Sequence, residues 1–394
     1  MLARCTRWLP IISIGTLLDG HASRGHTSAA IPARRRPGTG AAVRSSAILG
    51  AMPITFDPVA HTISPEAFDE AAALVAARVH RTPLLMSRTA ARVVESTSGI
   101  RLAGGMLHAK AEHLQSTGSF KVRGATLRLA LLDAAEKAAG VIAISAGNHA
   151  AALAVAAGRT GIRAVVVMPA TAVRSKVEAC RAYGAEVILH GATTAEAWAE
   201  MARVRDARGL TFIHPFDHPV TIAGQGTVGL EILEDLPDVD VVVVGIGGGG
   251  LGCGIATALA TRRPATRVWG VEPENSAALS TALAADEIVP VTAGSVADGL
   301  NAPFAGEWTL ALGRRHLAGI VTLTDPEILG GVRFAAERMK QVLEPAGAAA
   351  LAAVLHGRVP LHDGDRVCVV FSGGNVAIER LGDLLAGAVP IPGL

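Results

Sequence analysis

Val239-Asp-Val-Val-Val-Val-Gly-Ile-Gly-Gly-Gly-Gly-Leu251 is the stretch that decides the fold. An unbroken β-branched run reads as a strand buried on both faces, which a parallel sheet covered by helices provides. It passes directly into a glycine-rich loop and then into a helical stretch. The consecutive glycines Gly247, Gly248, Gly249 and Gly250 let backbone N–H groups face an anion at a helix N-terminus, as a phosphate requires. Glycines in a row are a poor choice for packing alone, because each costs chain entropy. Gly245-x-Gly247-x-x-Gly250 also fits the dinucleotide fingerprint, and Glu272, at the end of the next strand, stands where a ribose-binding acid would be. Taken alone, the loop supports a nicotinamide-dependent oxidoreductase about as well as a phosphate-bearing cofactor.

Working outward, the same pattern recurs. Short β-branched runs at Val141–Ser145, Ala164–Met168, Glu186–Leu189, Thr211–His214, Val268–Val271, Ile320–Thr324 and Val367–Phe371 alternate with Ala-rich helical stretches. Such alternation means βαβ units and a mainly parallel sheet. Ser64-Pro65-Glu66 starts a helix, with an N-cap serine and proline in the first turn, expected to run to about Arg78. Prolines and glycines lie at element ends and mark no linker, so two lobes would be interleaved.

With 394 residues, 50% hydrophobic, 18% charged and a net charge of +2, the chain suits a compact α/β enzyme. The near-neutral balance and the 3% aromatic content disfavour a nucleic-acid partner. Cys5, Cys180, Cys253 and Cys368 form no CxxC pair, which points to a reducing, cytoplasmic compartment and no cysteine zinc site. No apolar run reaches the length of a membrane span. Up to Phe56 the chain carries seven arginines and one acid, Asp19, with an apolar patch from Trp8 to Leu18. An organelle transit peptide, a weak secretory signal and a true start at Met52 compete here, and Met52 is favoured because a self-sufficient domain follows it. Residues 1–55 are therefore set apart from the fold.

Chemistry in such folds gathers beyond the carboxyl ends of strands. Two further junctions qualify: Ser145-Ala146-Gly147-Asn148-His149 before a helix, and Ser372-Gly-Gly-Asn375 after the last strand. The third feature is Ser116-Thr-Gly-Ser-Phe-Lys-Val-Arg-Gly124 before an Ala/Leu-rich helical run from Ala125 to Ala135. A lysine at a helix start gains nothing from the macrodipole. If desolvated there, its ammonium form is disfavoured and its amine becomes a nucleophile. Singly, each has an ordinary explanation. Lys121 could be a surface lysine covering Phe120, Asn148 a helix N-cap, His149 a satisfied local contact and Ser372 part of a turn. Their joint occurrence at element ends is the informative part.

With these motifs in place, the chain resembles the fold-type-II pyridoxal-phosphate enzymes, in the threonine/serine dehydratase and serine racemase branch. The matching stretches are Thr117–Ala125, Ser145–His149, His214-Pro-Phe-Asp217 with Ala223-Gly-Gln-Gly226, Gly247–Leu251, Leu343-Glu-Pro345 and Ser372–Asn375. The resemblance covers about Ile63 to the C-terminus. It implies a tryptophan-synthase-β-like α/β fold of two interleaved three-layer αβα lobes. The larger lobe would comprise residues 56–142 and 219–394, and the smaller, mobile lobe 143–218.

The resemblance also implies pyridoxal 5'-phosphate as cofactor, held covalently by Lys121, which would serve as base at the substrate Cα. Phe120 would lie against the ring, Asn148 would bond its oxygen, and Ser372 would face its nitrogen. Gly247 to Gly250, with Leu251, would hold the phosphate. Ser145, Ala146, Gly147, Asn148 and His149 would receive the substrate carboxylate. The implied reaction is β-elimination of water from L-threonine or L-serine, giving a 2-oxo acid and ammonia. β-Hydroxyaspartate or a hydroxylated compatible-solute intermediate is the alternative within this chemistry. A serine rather than an acid at the ring nitrogen leaves a weaker electron sink, which favours elimination over transamination.

Two departures carry weight. Racemase relatives have a serine at the position of Ala146, so racemisation is not expected here. Cation-binding relatives pair a glutamate and a carbonyl, matched by Glu272 and Ser276, with an aspartate whose position holds Ala278. Weak or absent metal binding is expected on that account. The chain ends soon after Asn375, so no regulatory domain and no allosteric control by isoleucine are expected. A homodimer is the family-level expectation.

Overall fold

The structure, a computed structural model, describes residues 55–392. The extension 1–55, except for Thr55, lies outside the described residues, as does its assignment.

Twelve strands are described. A hairpin of β1 (Phe56–Asp57) and β2 (Thr62–Ile63) opens the fold. A six-stranded sheet joins β3 (Leu84–Ser87), β4 (Leu107–Lys110), β9 (Val241–Gly245), β10 (Arg267–Pro273), β11 (Gly319–Leu323) and β12 (Val367–Val370) in the order β11-β10-β9-β12-β4-β3. A four-stranded sheet joins β5 (Val141–Ile144), β6 (Ala164–Met168), β7 (Glu186–Leu189) and β8 (Thr211–Phe212) in the order β7-β6-β5-β8. Every pairing in the two sheets is parallel except β3 with β4. The small sheet falls in sequence between β4 and β9, so the two αβα layers are interleaved, as the resemblance implied. Central strands β5, β6, β9 and β12 are buried throughout, which is why they read as unbroken apolar runs.

Several expected bounds shift. The chain leaves the small sheet after Phe212, two residues early, because the His214 ring turns the backbone: Nδ1 accepts the N–H groups of Phe216 and Asp217 at 3.3 and 2.8 Å. The first helix, Pro65–Ala76, is capped by Ser64 as expected and ends before Arg78. The run expected as one helix from Ala125 is two. Helix Lys121–Ala130 begins at Lys121 itself, and Asp133 caps a second, Ala134–Ala139, through a capping box.

The Lys121 helix is fixed where it crosses helix Pro219–Asp235. A Cβ on Gly224 would fall 2.8 Å from the Gly124 Cα, so only glycine allows the two backbones to approach this closely. Arg123, one half-turn past Lys121, is fully buried and locks the same helix. Its guanidinium donates to both oxygens of Glu112 (2.8 and 2.7 Å) and of Glu231 (2.7 and 2.9 Å). Lys110 of β4, equally buried, adds ion pairs to Glu231 at 2.8 Å and Asp235 at 3.3 Å. The helix bearing Lys121 is thereby tied to β4 and to Pro219–Asp235 by charge as well as by packing.

Candidate active site

The carboxyl ends of β5, β9 and β12 open onto a cleft of ≈ 700 Å³ between the two sheets. It is lined by Phe120, Lys121, Ser145 to His149, Gly247 to Gly250, Leu251 and Ser372, so all the cofactor and substrate positions expected from sequence meet in one place.

Lys121 opens its helix inside this cleft. Its Nζ donates to the carbonyl of Pro215 at 2.8 Å and lies 5.2 Å from the centre of the Phe120 ring. Burial without a carboxylate partner drops its pKa to about 8. Asn148 is not the helix cap; it is the first residue of helix Asn148–Thr160, capped by Gly147. Its side chain is free for other work: Nδ2 donates to Glu344 at 2.6 Å, and Oδ1 accepts from Asn375 at 2.7 Å. His149 has the ordinary role weighed for it. Its ring bonds the Ile213 carbonyl at 2.9 Å, and burial, helped by the nearby Lys121 charge, takes its pKa to about 3. The Ser145 hydroxyl accepts the Gly147 N–H at 3.1 Å. Ser372 Oγ, at the end of β12, donates weakly to the Ala346 carbonyl at 3.3 Å.

The glycine loop leads into helix Gly250–Arg262, whose start carries no side-chain cap. Phe216 lies across it: a Cβ on Gly248 would fall 2.4 Å from the Phe216 ring. Glu272 is not placed as a ribose acid. Its buried carboxylate accepts the Leu279 and Ser280 N–H groups at 2.8 and 2.9 Å and so holds the start of helix Ala278–Ala285. Ser276 donates to the Leu300 carbonyl at 3.2 Å. Among the described residues no three His, Cys, Asp or Glu side chains cluster to hold a metal ion.

Sequence reasoning missed three groups of the site. Glu344, Asn375 and the Pro215 carbonyl all touch residues it had named. Each lay within a quoted motif, yet nothing local marks a glutamate before proline as a side chain aimed into a cleft.

The family model of pyridoxal-phosphate dependent enzymes matches residues 75–373. The chain belongs to that family. Among similar proteins, the L-threonine ammonia-lyase of Thermotoga maritima is 40% identical over 304 residues, 77% of this chain and 73% of that protein. The catabolic L-threonine dehydratase TdcB of Escherichia coli K12 is 39% identical over 282 residues, 71% and 86% of the two chains. The structure of maize serine racemase superposes with a TM-score of 0.75 at 34% identity, over 82% of this chain and 97% of the racemase.

The residues present fit the family's cofactor. An uncapped helix start behind a glycine cradle too tight for any Cβ at Gly248 suits a phosphate. A desolvated lysine amine in the same cleft suits covalent attachment to an aldehyde. With Glu272 committed to backbone N–H groups, and with this family shown, the dinucleotide-dependent oxidoreductase is set aside.

Proposed function

We propose that the chain is a threonine/serine-type ammonia-lyase, eliminating water from a β-hydroxy amino acid, L-threonine before L-serine, to give a 2-oxo acid and ammonia. The observation that carries this reading is the meeting of Lys121, the glycine cradle, Asn148 and Ser372 in one cleft of a chain whose relatives are threonine dehydratases.

Gly247 to Gly250, with Leu251, would hold the phosphate, Phe120 would flank the ring, Asn148 would meet its oxygen and Ser372 its nitrogen. When bound, pyridoxal phosphate supplies the electron sink that lets the Cα–H bond of an amino acid break. The chain's own residues then have separable tasks. Lys121 takes the Cα proton; its lowered pKa leaves a usable share of neutral amine near physiological pH. The Pro215 carbonyl, 2.8 Å from Nζ, aims that amine. The N-terminus of helix Asn148–Thr160, within the 145–149 loop, offers N–H groups to the substrate carboxylate. Ala146 provides no proton-transferring group on the second face of Cα, which supports elimination over racemisation. Loss of water and later hydrolysis at Cα return the water, so the net change is amino acid to 2-oxo acid plus ammonia.

Residues 143–218, which carry most of the small sheet, are taken as the mobile lobe, with 56–142 and 219–394 as the cofactor-binding lobe. The same reading makes the enzyme a cytoplasmic homodimer. Cys180, Cys253 and Cys368 are free and buried, which suits a reducing compartment. Among the described residues no helix is long and apolar enough to cross a membrane.

The test is an absorption spectrum of the purified chain beginning at Met52, followed by addition of L-threonine and assay of 2-oxobutyrate. A cofactor band lost in Lys121→Ala, with 2-oxobutyrate formed by the parent chain, is expected. A band with no product from threonine or serine would refute the substrate, and no band at all would refute the chemistry.

A further inference from the structure

Two segments far away in the chain meet at the Asn148 side chain, and a third is tied to it through Asn375. Glu344, which precedes helix Pro345–Leu355, accepts from Nδ2 at 2.6 Å. Asn375 donates to Oδ1 at 2.7 Å and also to the Thr117 carbonyl at 2.8 Å. Two motif glycines make room for these partners. A Cβ on Gly118 would fall 2.2 Å from Asn375 Oδ1, and one on Gly373 would fall 2.1 Å from Glu344 Oε1. An amide could turn either end to a ligand; here a carboxylate holds its nitrogen and an amide donor holds its oxygen. One Nδ2 hydrogen and one Oδ1 lone pair stay available.

We propose that Glu344 and Asn375 are positioning residues that clamp Asn148 from both ends, fix the face it presents to the cofactor ring, and pass the charge state of Glu344 to that contact. This rests on the reading that Asn148 meets the ring. Glu344 is only 4% exposed. Burial first, and Asp298 second, raise its carboxyl to about 7, while Asn148 and Lys176 pull the other way. Asp298 and Lys176 form an ion pair at 3.1 Å beside it; Lys121 shares its cleft, and Glu379 and Arg380 line the cavity behind it. Ionised Glu344 accepts a charge-assisted bond that polarises the Asn148 amide, and protonated Glu344 accepts an ordinary one. The cofactor's surroundings therefore change through neutral pH.

The experiment titrates the absorption spectrum of the cofactor-loaded chain from about pH 5.5 to about pH 8.5, and measures the affinity of the cofactor-free chain for pyridoxal phosphate. Wild type should show one spectral transition near pH 7. Glu344→Gln keeps the shape and an acceptor but carries no charge; it should lose the transition and bind the cofactor about tenfold more weakly. Asp298→Asn should keep the transition and move its midpoint to lower pH, because an anion next to Glu344 is gone. Asn375→Ala should weaken cofactor binding while the transition persists. A Glu344→Gln chain with wild-type transition and affinity would overturn the clamp. If that variant does not fold, an unmoved midpoint in Asp298→Asn overturns it instead. A wild-type chain that takes up no pyridoxal phosphate refutes the functional reading itself, and the clamp with it, before any variant is compared.

Discussion

Replacing Arg123 with methionine tests whether buried charge holds the Lys121 helix in place. The guanidinium makes four bonds of 2.7–2.9 Å to Glu112 and Glu231. The two carboxylates are not hurt equally. Glu231 keeps Lys110 at 2.8 Å, whereas Glu112, fully buried, keeps only the Thr82 hydroxyl. Removing one partner of a buried ion pair costs about 3–5 kcal/mol, because an uncompensated charge stays inside. At roughly 2 °C per kcal/mol this is a fall in Tm of about 6–10 °C. The double variant Arg123→Met/Glu112→Leu removes the stranded charge too, and should recover at least about 2 kcal/mol over Arg123→Met alone. Urea unfolding of wild type, both singles and the double reads these differences directly. The reasoning fails if Arg123→Met unfolds within about 1 kcal/mol of wild type. It fails equally if the double variant loses the sum of the singles, since that would mean the charges do not interact.

Three further outcomes are expected. In the cofactor-free chain, the rate of acylation of Lys121 should rise through about pH 8, well below an ordinary lysine, as peptide mapping after pulse labelling would show. Gly248→Ala places a Cβ 2.4 Å from the Phe216 ring and should weaken cofactor binding at least tenfold while leaving urea stability within about 1–3 kcal/mol. Glu231, half-buried, and Glu344, buried, should give stability opposite pH trends. Burial opposes the charge on Glu231, but Arg123 and Lys110 outweigh it and lower its pKa, so its contribution is present above the ordinary value of 4.5 and is lost as pH falls below. Burial and Asp298 raise Glu344, so its contribution is full below 4.5 and is lost as pH rises towards about 7. Urea midpoints of cofactor-free Glu344→Gln against wild type between those pH values should separate the second trend from the first.

The sequence announced most of the parallel sheets because their central strands have no polar face. Val241–Gly245 and Ala164–Met168 are buried at every residue and read as such. β4 was invisible for the opposite reason. Leu107-His-Ala-Lys110 looks like half-exposed polar chain, yet Lys110 is fully buried. Its partners Glu231 and Asp235 lie on a helix more than a hundred residues away, and local pattern carries no trace of such a pair. β3 is a short edge strand after proline, with Met86 exposed, and gave no periodic signal. The site followed the same division. Glycines, Lys121 and Ser372 stand at element ends and could be named from position alone. Glu344 could not, because its reach to Asn148 depends on a missing side chain at Gly373.

The small sheet has one further property. β5 opens it and β8 closes it, and the two are neighbours, with Val141 paired to Thr211. The pairing thus brings the first residues of the two strands, far apart in the chain, to about one strand spacing, roughly 4.8 Å, and the chain runs on from the far end of β8 because the strands are parallel. Whatever is built between those points adds little closure entropy to the parent fold. It is a cassette anchored at one place: its outer strands and helices can be lengthened or replaced, whereas helix Asn148–Thr160, which packs against the Lys121 helix and whose Asn148 is held by Glu344 and Asn375, has to stay in register with the lysine, the glycine cradle and the last serine.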